Sequence, residues 1–147
     1  MEHPVIDVCD NPDPADRTCI LEPLLEYNRS KTPSAKLQPF AIFLRDAHNT
    51  VIGGLWGGSA YDWFFVDLLF VPEHLRGHGV GKQLMRTAEE TAIARGCLGI
   101  CLDSFTFQAP AFYTKLGYRE VGVIPNQPKG ESRIIFRKLL PPKPVPM

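Results

Sequence analysis

The sequence predicts a single mixed α/β domain: one sheet with helices on both of its faces. Three observations carry that expectation. The chain has 147 residues, the size of one domain, and a chain of that length buries roughly two-thirds of its unfolded surface on folding. Strand-like and helix-like runs alternate in the order β-α-β-β-β-α-β-α-β-β, the pattern of a layered α/β fold. No stretch repeats and no second apolar core follows the first, so residues 1–147 read as one domain, with 141–147 as a proline-rich extended tail.

Each element has its own signal. Residues 4–8, Pro-Val-Ile-Asp-Val, read as a short first strand. From Asp16 the spacing of Cys19, Leu24, Leu25 and Tyr27 predicts a helix of about two to three turns, with Pro23 disturbing its interior. Residues 29–39 are polar and proline-marked, hence a loop. Residues 40–46 form a strand, 47–50 a turn and 51–57 the hairpin partner. Gly53, Gly54, Gly57 and Gly58 predict a bulge or a close backbone approach there. Residues 63–71, Trp-Phe-Phe-Val-Asp-Leu-Leu-Phe-Val, are apolar on both faces except at Asp67, as in a strand covered on both sides. Val80, Leu84, Ala88 and Ala92, joined by Met85, form one helical stripe that Arg95 and Gly96 close. Residues 97–105 are the next strand. Gln108 to Leu116 is a short helix with Ala109, Phe112, Tyr113 and Leu116 on one face and Gly117 as its stop. Residues 118–124 and 132–140 are two further strands, linked by the turn-rich 125–131. Within the tail, Pro141-x-x-Pro144 fits either an SH3-type ligand or a plain extended segment.

Composition removes several function classes. Lys plus Arg equals Asp plus Glu at 16 each, which argues against nucleic acid as the main partner, since phosphate-tracking proteins carry a basic excess. The start of the chain has neither a basic stretch nor an apolar one, and the most apolar run is too short to span a bilayer. A cytoplasmic protein with no membrane partner is the expectation. Cys9, Cys19, Cys97 and Cys101 are then reduced thiols, and with no further ligands at metal spacing they read as small buried hydrophobes. Cys97 and Cys101, four apart on the strand, would share a face.

The segment Arg76-Gly77-His78-Gly79-Val80-Gly81-Lys82 holds three glycines at alternate positions between a strand and a helix. A tight turn explains one or two of them. A nucleotide P-loop fails twice: Arg76 stands where the first glycine belongs, and Gln83 replaces the magnesium-binding hydroxyl. A dinucleotide fingerprint is met at Gly77 and Gly79, but Lys82 takes the third glycine's place and too little chain surrounds it. What remains is a loop of exposed amides at a helix N-terminus, flanked by Arg76, Lys82 and Arg86. That is an anion site: orphan N–H groups point outward, the helix dipole adds positive potential, and missing side chains admit a phosphate. Two linked phosphates would use successive amides from Gly77 to Lys82.

These residues resemble the GNAT superfamily of acetyl-CoA-dependent N-acetyltransferases, whose pyrophosphate signature is Arg/Gln-x-x-Gly-x-Gly/Ala. Arg76-x-x-Gly79-x-Gly81 matches it in full, and residues 109–122, Ala-Pro-Ala-Phe-Tyr-Thr-Lys-Leu-Gly-Tyr-Arg-Glu-Val-Gly, look like the family's second hallmark. Together the matches span residues 63–124. The resemblance implies a mostly antiparallel central sheet splayed into a V between the strand ending at Val71 and the strand starting near Leu98. The pantetheine arm of acetyl-CoA, the acyl-donor cosubstrate, would lie there along Leu69, Phe70 and Val71. Pantetheine carries two amides, so an unpaired strand edge suits it. Arg76, Gly77, His78, Gly79, Val80, Gly81 and Lys82 would hold the pyrophosphate. No metal is implied.

Tyr113 matches the family tyrosine that serves the departing thiolate; its other reading is a core aromatic beside Phe112. Thr106 stands where many relatives carry Asn, so Thr106 or Gln108 would replace that contact. Asp67 interrupts an apolar strand and is the candidate base for the amine, or else an ion-paired or edge-facing carboxylate. Asp103 and Glu73 are weaker candidates, and His74 with His78 flank a loop rather than form a metal pair. The acceptor, a small-molecule amine or a protein lysine or N-terminus, would be set by residues 16–40, 57–63 and 125–130. There Glu22, Glu26, Tyr27, Tyr61, Asp62 and Trp63 could line an acidic, aromatic pocket, or be surface charges and packing aromatics. A non-catalytic acyl-CoA-binding sensor on the same fold is the alternative function, and a homodimer is open.

Overall fold

The computed structural model describes residues 2–146, which fall into two compact units, one up to Ala35 and one from Lys36 onward. In the first unit, α1 spans Pro14–Lys31 and a 3-10 turn spans Pro33–Ala35. The helix starts two residues before Asp16 because Asp13 caps it, its carboxylate accepting from the Ala15 amide at 2.9 Å, and Pro14 needs no donor in the first turn. It continues through Pro23, whose ring removes one hydrogen bond while the surrounding Leu, Glu and Arg residues favour helix. The outcome is 18 residues rather than two to three turns, and none of them is buried. Residues 4–8 are not a strand: a strand needs a ladder partner, and this run has none among the described residues. Cys9 and Cys19 are likewise exposed rather than core residues, since the segment that carries them buries nothing around them.

The second unit holds β1 Gln38–Arg45, β2 Val51–Ala60, β3 Trp63–Phe70, α2 Val80–Ala94, β4 Gly99–Phe105, α3 Pro110–Lys115, β5 Arg119–Pro125 and β6 Ser132–Leu139. They build one six-stranded sheet in the order β1-β2-β3-β4-β6-β5. Every neighbouring pair is antiparallel except β3 and β4, which α2 joins as a crossover and so makes parallel. Cys97 precedes β4 and is buried, so it does not share a strand face with half-buried Cys101.

The glycines of β2 answer to close approach. A Cβ on Gly57 would lie 2.1 Å from the Phe65 carbonyl oxygen. At the same place the register shifts: Trp56 faces Leu68 and Gly57 faces Val66, leaving Asp67 with no partner on β2. A bulge bends its strand, and beyond it β3 leaves β4. The two pair only over Trp63–Phe65 against Gly99–Cys101. The sheet therefore opens into the V that the family resemblance implies.

Phe64, Ile100, Leu102 and Phe136 form the buried face. Over it α2 lays Leu84, Met85, Ala88 and Ala92, the stripe read from the sequence. On the same face the Tyr113 ring of α3 meets Phe136 at 5.7 Å. The opposite face carries Phe43, Trp56, Leu68 and Phe70, all exposed. Burial of β3 on both sides thus fails past Val66, because the bulge turns Asp67 and Leu68 outward together.

Polar ties fix the layers. Arg95 donates to the Gln38 and Pro39 carbonyls at 2.8 and 3.2 Å and to the Ser59 hydroxyl at 3.1 Å, holding the end of α2 to β1 and β2. Glu89 of α2 accepts from the Tyr118 hydroxyl and from Lys138 of β6, both at 2.9 Å. Residues 140–146 have no regular structure, and Met147 of the tail lies outside the described residues. No helix among the described residues is long and apolar enough to cross a membrane.

Candidate active site

The strand-to-helix connection is a cradle of open backbone amides. After β3 the chain makes a 3-10 turn at Glu73–Leu75, and the Arg76 amide closes it on the Glu73 carbonyl at 3.1 Å. The Arg76 side chain reaches back, donating through Nε to the Val71 carbonyl at 2.8 Å, with its guanidinium 5.7 Å from the Phe70 ring centre. Beyond Arg76 the next amide with a backbone acceptor is that of Gln83, bonded to the Gly79 carbonyl at 3.0 Å. Residues 77–82 thus present successive N–H groups at the positive end of α2.

Gly79, the N-cap, has φ 80 and ψ 9, a left-handed conformation that an L side chain adopts only at a cost. Gly77 matches it with φ 79, and a Cβ on either would meet nothing within 4 Å. The space above both is open. Gly81 answers to packing: its Cβ would lie 3.3 Å from Phe112, so its smallness lets α2 close on α3.

Next to the cradle, a depression of about 480 Å³ runs along α2, lined by Gly79, Lys82, Gln83, Arg86, Thr87 and Glu90. Gln83, Thr87 and Glu90 are not among the sequence candidates. Their signal was nonetheless present: positions 79, 83 and 87, like 82, 86 and 90, recur every four residues and so share one helix face.

The split in the sheet meets this cradle. Leu69 and Phe70 pair with β2 on one side only, since β4 has already diverged. Asp67 stands exposed in the bulge at the mouth of the split and makes no ion pair among the described residues. Across from it on β4 are Cys101 and Asp103. Burial pushes the Cys101 thiol above its usual pKa, and the charges of Asp103 and Asp67 push it the same way. Asp103 is already engaged by Arg133 at 2.5 Å. Cys101 was read in sequence as packing only, and it is half-buried in β4.

Tyr113 is buried at the start of the other arm, its ring 5.0 Å from Phe112 and 6.0 Å from Tyr118. Burial first, and then the charge of Asp103, push its phenol up to about 12. The Tyr118 hydroxyl is committed to Glu89, whereas that of Tyr113 has no hydrogen-bond partner among the described residues. Thr106 and Gln108 hold the turn after β4. The Thr106 hydroxyl donates to Glu131 and accepts from the Ser132 amide, and the Gln108 side-chain oxygen accepts from the Phe105 amide at 2.9 Å. His74 lies in the 3-10 turn and His78 in the cradle, both exposed. Among the described residues no group of three or more His, Cys, Asp or Glu side chains is placed to hold a metal ion.

Of the residues read in sequence as acceptor candidates, Tyr61, Asp62 and Trp63 lie at the closed end of the split rather than at its mouth. Tyr61 and Asp62 form the β2–β3 turn with φ 54 and 66, and Trp63 packs over Gly99 at the closed end of the split. That end is roughly 20 Å along β3 from Phe70. Glu22, Glu26 and Tyr27 are exposed on α1 in the first unit.

Residues 9–118 match the model of the acetyltransferase (GNAT) family. The chain is 36% identical over 113 residues to the acetyltransferase Atu2258 of Agrobacterium fabrum, covering 77% of this chain and 82% of that one. It is 35% identical over 114 residues to a blasticidin-S acetyltransferase of Streptomyces morookaense, covering 74% and 84%. A crystal structure of an Agrobacterium tumefaciens chain superposes on it with a TM-score of 0.84 at 33% identity, covering 95% of this chain and 100% of that one. The chain that carries this open sheet and amide cradle belongs to the GNAT family, and it is an acetyltransferase.

Proposed function

We propose that the protein transfers acetyl from acetyl-CoA to a primary amine by direct attack of the amine on the thioester. One observation carries this reading: the unpaired edge of β3 runs directly into the free amides of residues 77–82. In this reading those amides, with Arg76, Lys82 and Arg86, hold the pyrophosphate, the arm of the donor follows Leu69, Phe70 and Val71, and Thr106 and Gln108 border it. The acceptor comes to the mouth of the split, where Asp67 takes a proton from its ammonium form. The nitrogen then forms its bond to the acetyl carbon as the carbon–sulfur bond breaks. The second proton lost by nitrogen reaches sulfur by way of Tyr113, whose phenol keeps its own proton to about pH 12 and so is protonated whenever the site turns over. The products are an acetamide, a free thiol and one proton released to solvent.

The relative named for blasticidin S supports a small-molecule acceptor over a protein lysine or N-terminus. Calorimetry with acetyl-CoA, followed by a thiol-release assay over a panel of amines, tests the proposal. Binding together with turnover of at least one amine is the expected result. Binding without turnover across a broad panel would overturn it and leave an acyl-CoA-holding module.

A further inference from the structure

Tyr113 is carried by a helix too short to hold its own position. α3 has six residues, less than two turns, and no side chain caps its start at Ala109. A helix of that length takes its place from what it is tied to. One tie is in its first turn, where the Phe112 ring lies against Gly81 of α2. The other converges on a single carboxylate oxygen. The Tyr113 carbonyl accepts from the amides of Leu116 and Tyr118, both at 3.0 Å, and each of those residues leads on to Glu89. The Leu116 carbonyl accepts from the Lys138 ammonium at 2.9 Å, and the same ammonium donates to Glu89 Oε1 at 2.9 Å. The Tyr118 hydroxyl donates to that Oε1 as well, again at 2.9 Å. Its ring stands edge-on to the Tyr113 ring, with centres 6.0 Å apart. Burial, and then the charge of Glu89, push the Tyr118 phenol above its usual pKa, so it remains a donor.

Glu89 itself is mounted on α2, the helix whose N-terminus forms the amide cradle, about ten residues or roughly 15 Å from Gly79. The trio is largely withdrawn from solvent, the Glu89 side chain 18% exposed and that of Lys138 30%. A buried ion pair often adds no stability over apolar side chains of the same volume. Its hydrogen bonds do add direction. They weaken steeply as they bend, so two donors meeting one oxygen admit few placements of the segment between them.

We propose that Glu89 is a positioning residue of the transfer reaction: through Lys138 and Tyr118 it fixes where Tyr113 stands relative to the cradle on the same α2. Donor and phenol are thereby referred to one rigid element. The inference rests on the acid role given to Tyr113 in the proposed reaction. A displacement of about 1 Å at a reacting group costs up to about 10²-fold in rate, so loss of this tie reaches catalysis without touching the cofactor.

The test compares rates at a temperature where denaturation curves show each variant folded. Glu89→Ala should lower kcat about 10- to 100-fold while KM for acetyl-CoA stays within about twofold. Glu89→Gln keeps an oxygen for both donors and should recover most of that loss. The decisive measurement pairs Glu89→Ala with Tyr113→Phe. A residue acting through the Tyr113 hydroxyl has nothing left to position once that hydroxyl is gone, so the double variant should be no slower than Tyr113→Phe alone. Should Glu89→Ala melt too low to assay, Tyr118→Phe removes one donor, leaves the ring and repeats the test: a lower kcat at unchanged KM, and no further loss on top of Tyr113→Phe. Losses that multiply in the double variant, a loss that lies mainly in KM, or a Gln variant as slow as the Ala one would each overturn the inference. So would a wild-type kcat in Glu89→Ala beside a slowed Tyr113→Phe. A wild-type rate in Tyr113→Phe alone would remove the acid role itself, and this inference with it.

Discussion

Replacing Gly79 by alanine separates the cost of a strained backbone from the cost of a blocked anion site, because the chain contains a matched control. Gly79 has φ 80 and Gly96 has φ 77, and a Cβ on either meets nothing within 4 Å. Each flanks one end of α2, Val80–Ala94, and the 17 residues from one to the other set them roughly 25 Å apart. Forcing an L side chain into the left-handed region costs about 1–2 kcal/mol at either position. For a chain of this size that lowers the melting temperature by about 2–8 °C. Only at Gly79 does the new methyl stand above the amides of residues 77–82. If it displaces a phosphate from one or two charge-assisted hydrogen bonds of about 1.5 kcal/mol each, affinity for coenzyme A falls roughly 10- to 100-fold. Scanning fluorimetry and titration calorimetry measure the two quantities separately. Equal melting shifts with a selective loss of coenzyme A binding in Gly79→Ala are expected; equal affinity in the two variants would refute the cradle.

Four further outcomes follow from the same geometry. Tyr113→Phe should lower kcat by about 10²-fold or more while leaving acetyl-CoA affinity within a factor of two or so in calorimetry, and an unchanged rate would remove Tyr113 from the reaction. Because the folded state raises this phenol from 10 to about 12, stability should be level below pH 10 and fall as pH rises towards 12, more shallowly in the Phe variant; denaturant melts across that range read the slope. Asp67→Asn should cut the rate near neutrality by about 10²-fold or more and recover as alkali frees the amine, and a pH–rate profile with the shape of the wild type would exclude it as the base. Glu89→Ala strips the shared acceptor from Tyr118 and Lys138 and should cost about 1.5–3 kcal/mol, read as a lower denaturation midpoint without change in coenzyme A binding.

The helical stripe of α2, the run of β3 with its lone aspartate and the glycines between them were legible because they depend on neighbours in sequence. Side-chain period and backbone conformation are local properties, so Arg76, Gly77, Gly79 and the α2 face could be read one residue at a time. The same logic misled at residues 4–8, whose β-branched pattern satisfies every local requirement of a strand. A strand also needs a partner ladder, which no local pattern supplies. Pro23 misled in the opposite direction, since the capping by Asp13 and the length of α1 outweigh one lost hydrogen bond.

Only the tertiary structure decided that the Asp67 bulge sends β3 away from β4, that Asp103 meets Arg133, and that Glu89, Tyr118 and Lys138 converge. These contacts join segments tens of residues apart. Their existence depends on strand register and on the hand of the α2 crossover, quantities fixed by packing of the whole sheet. By itself the sequence determined what each segment could bind; the fold determined which of those capacities face one another.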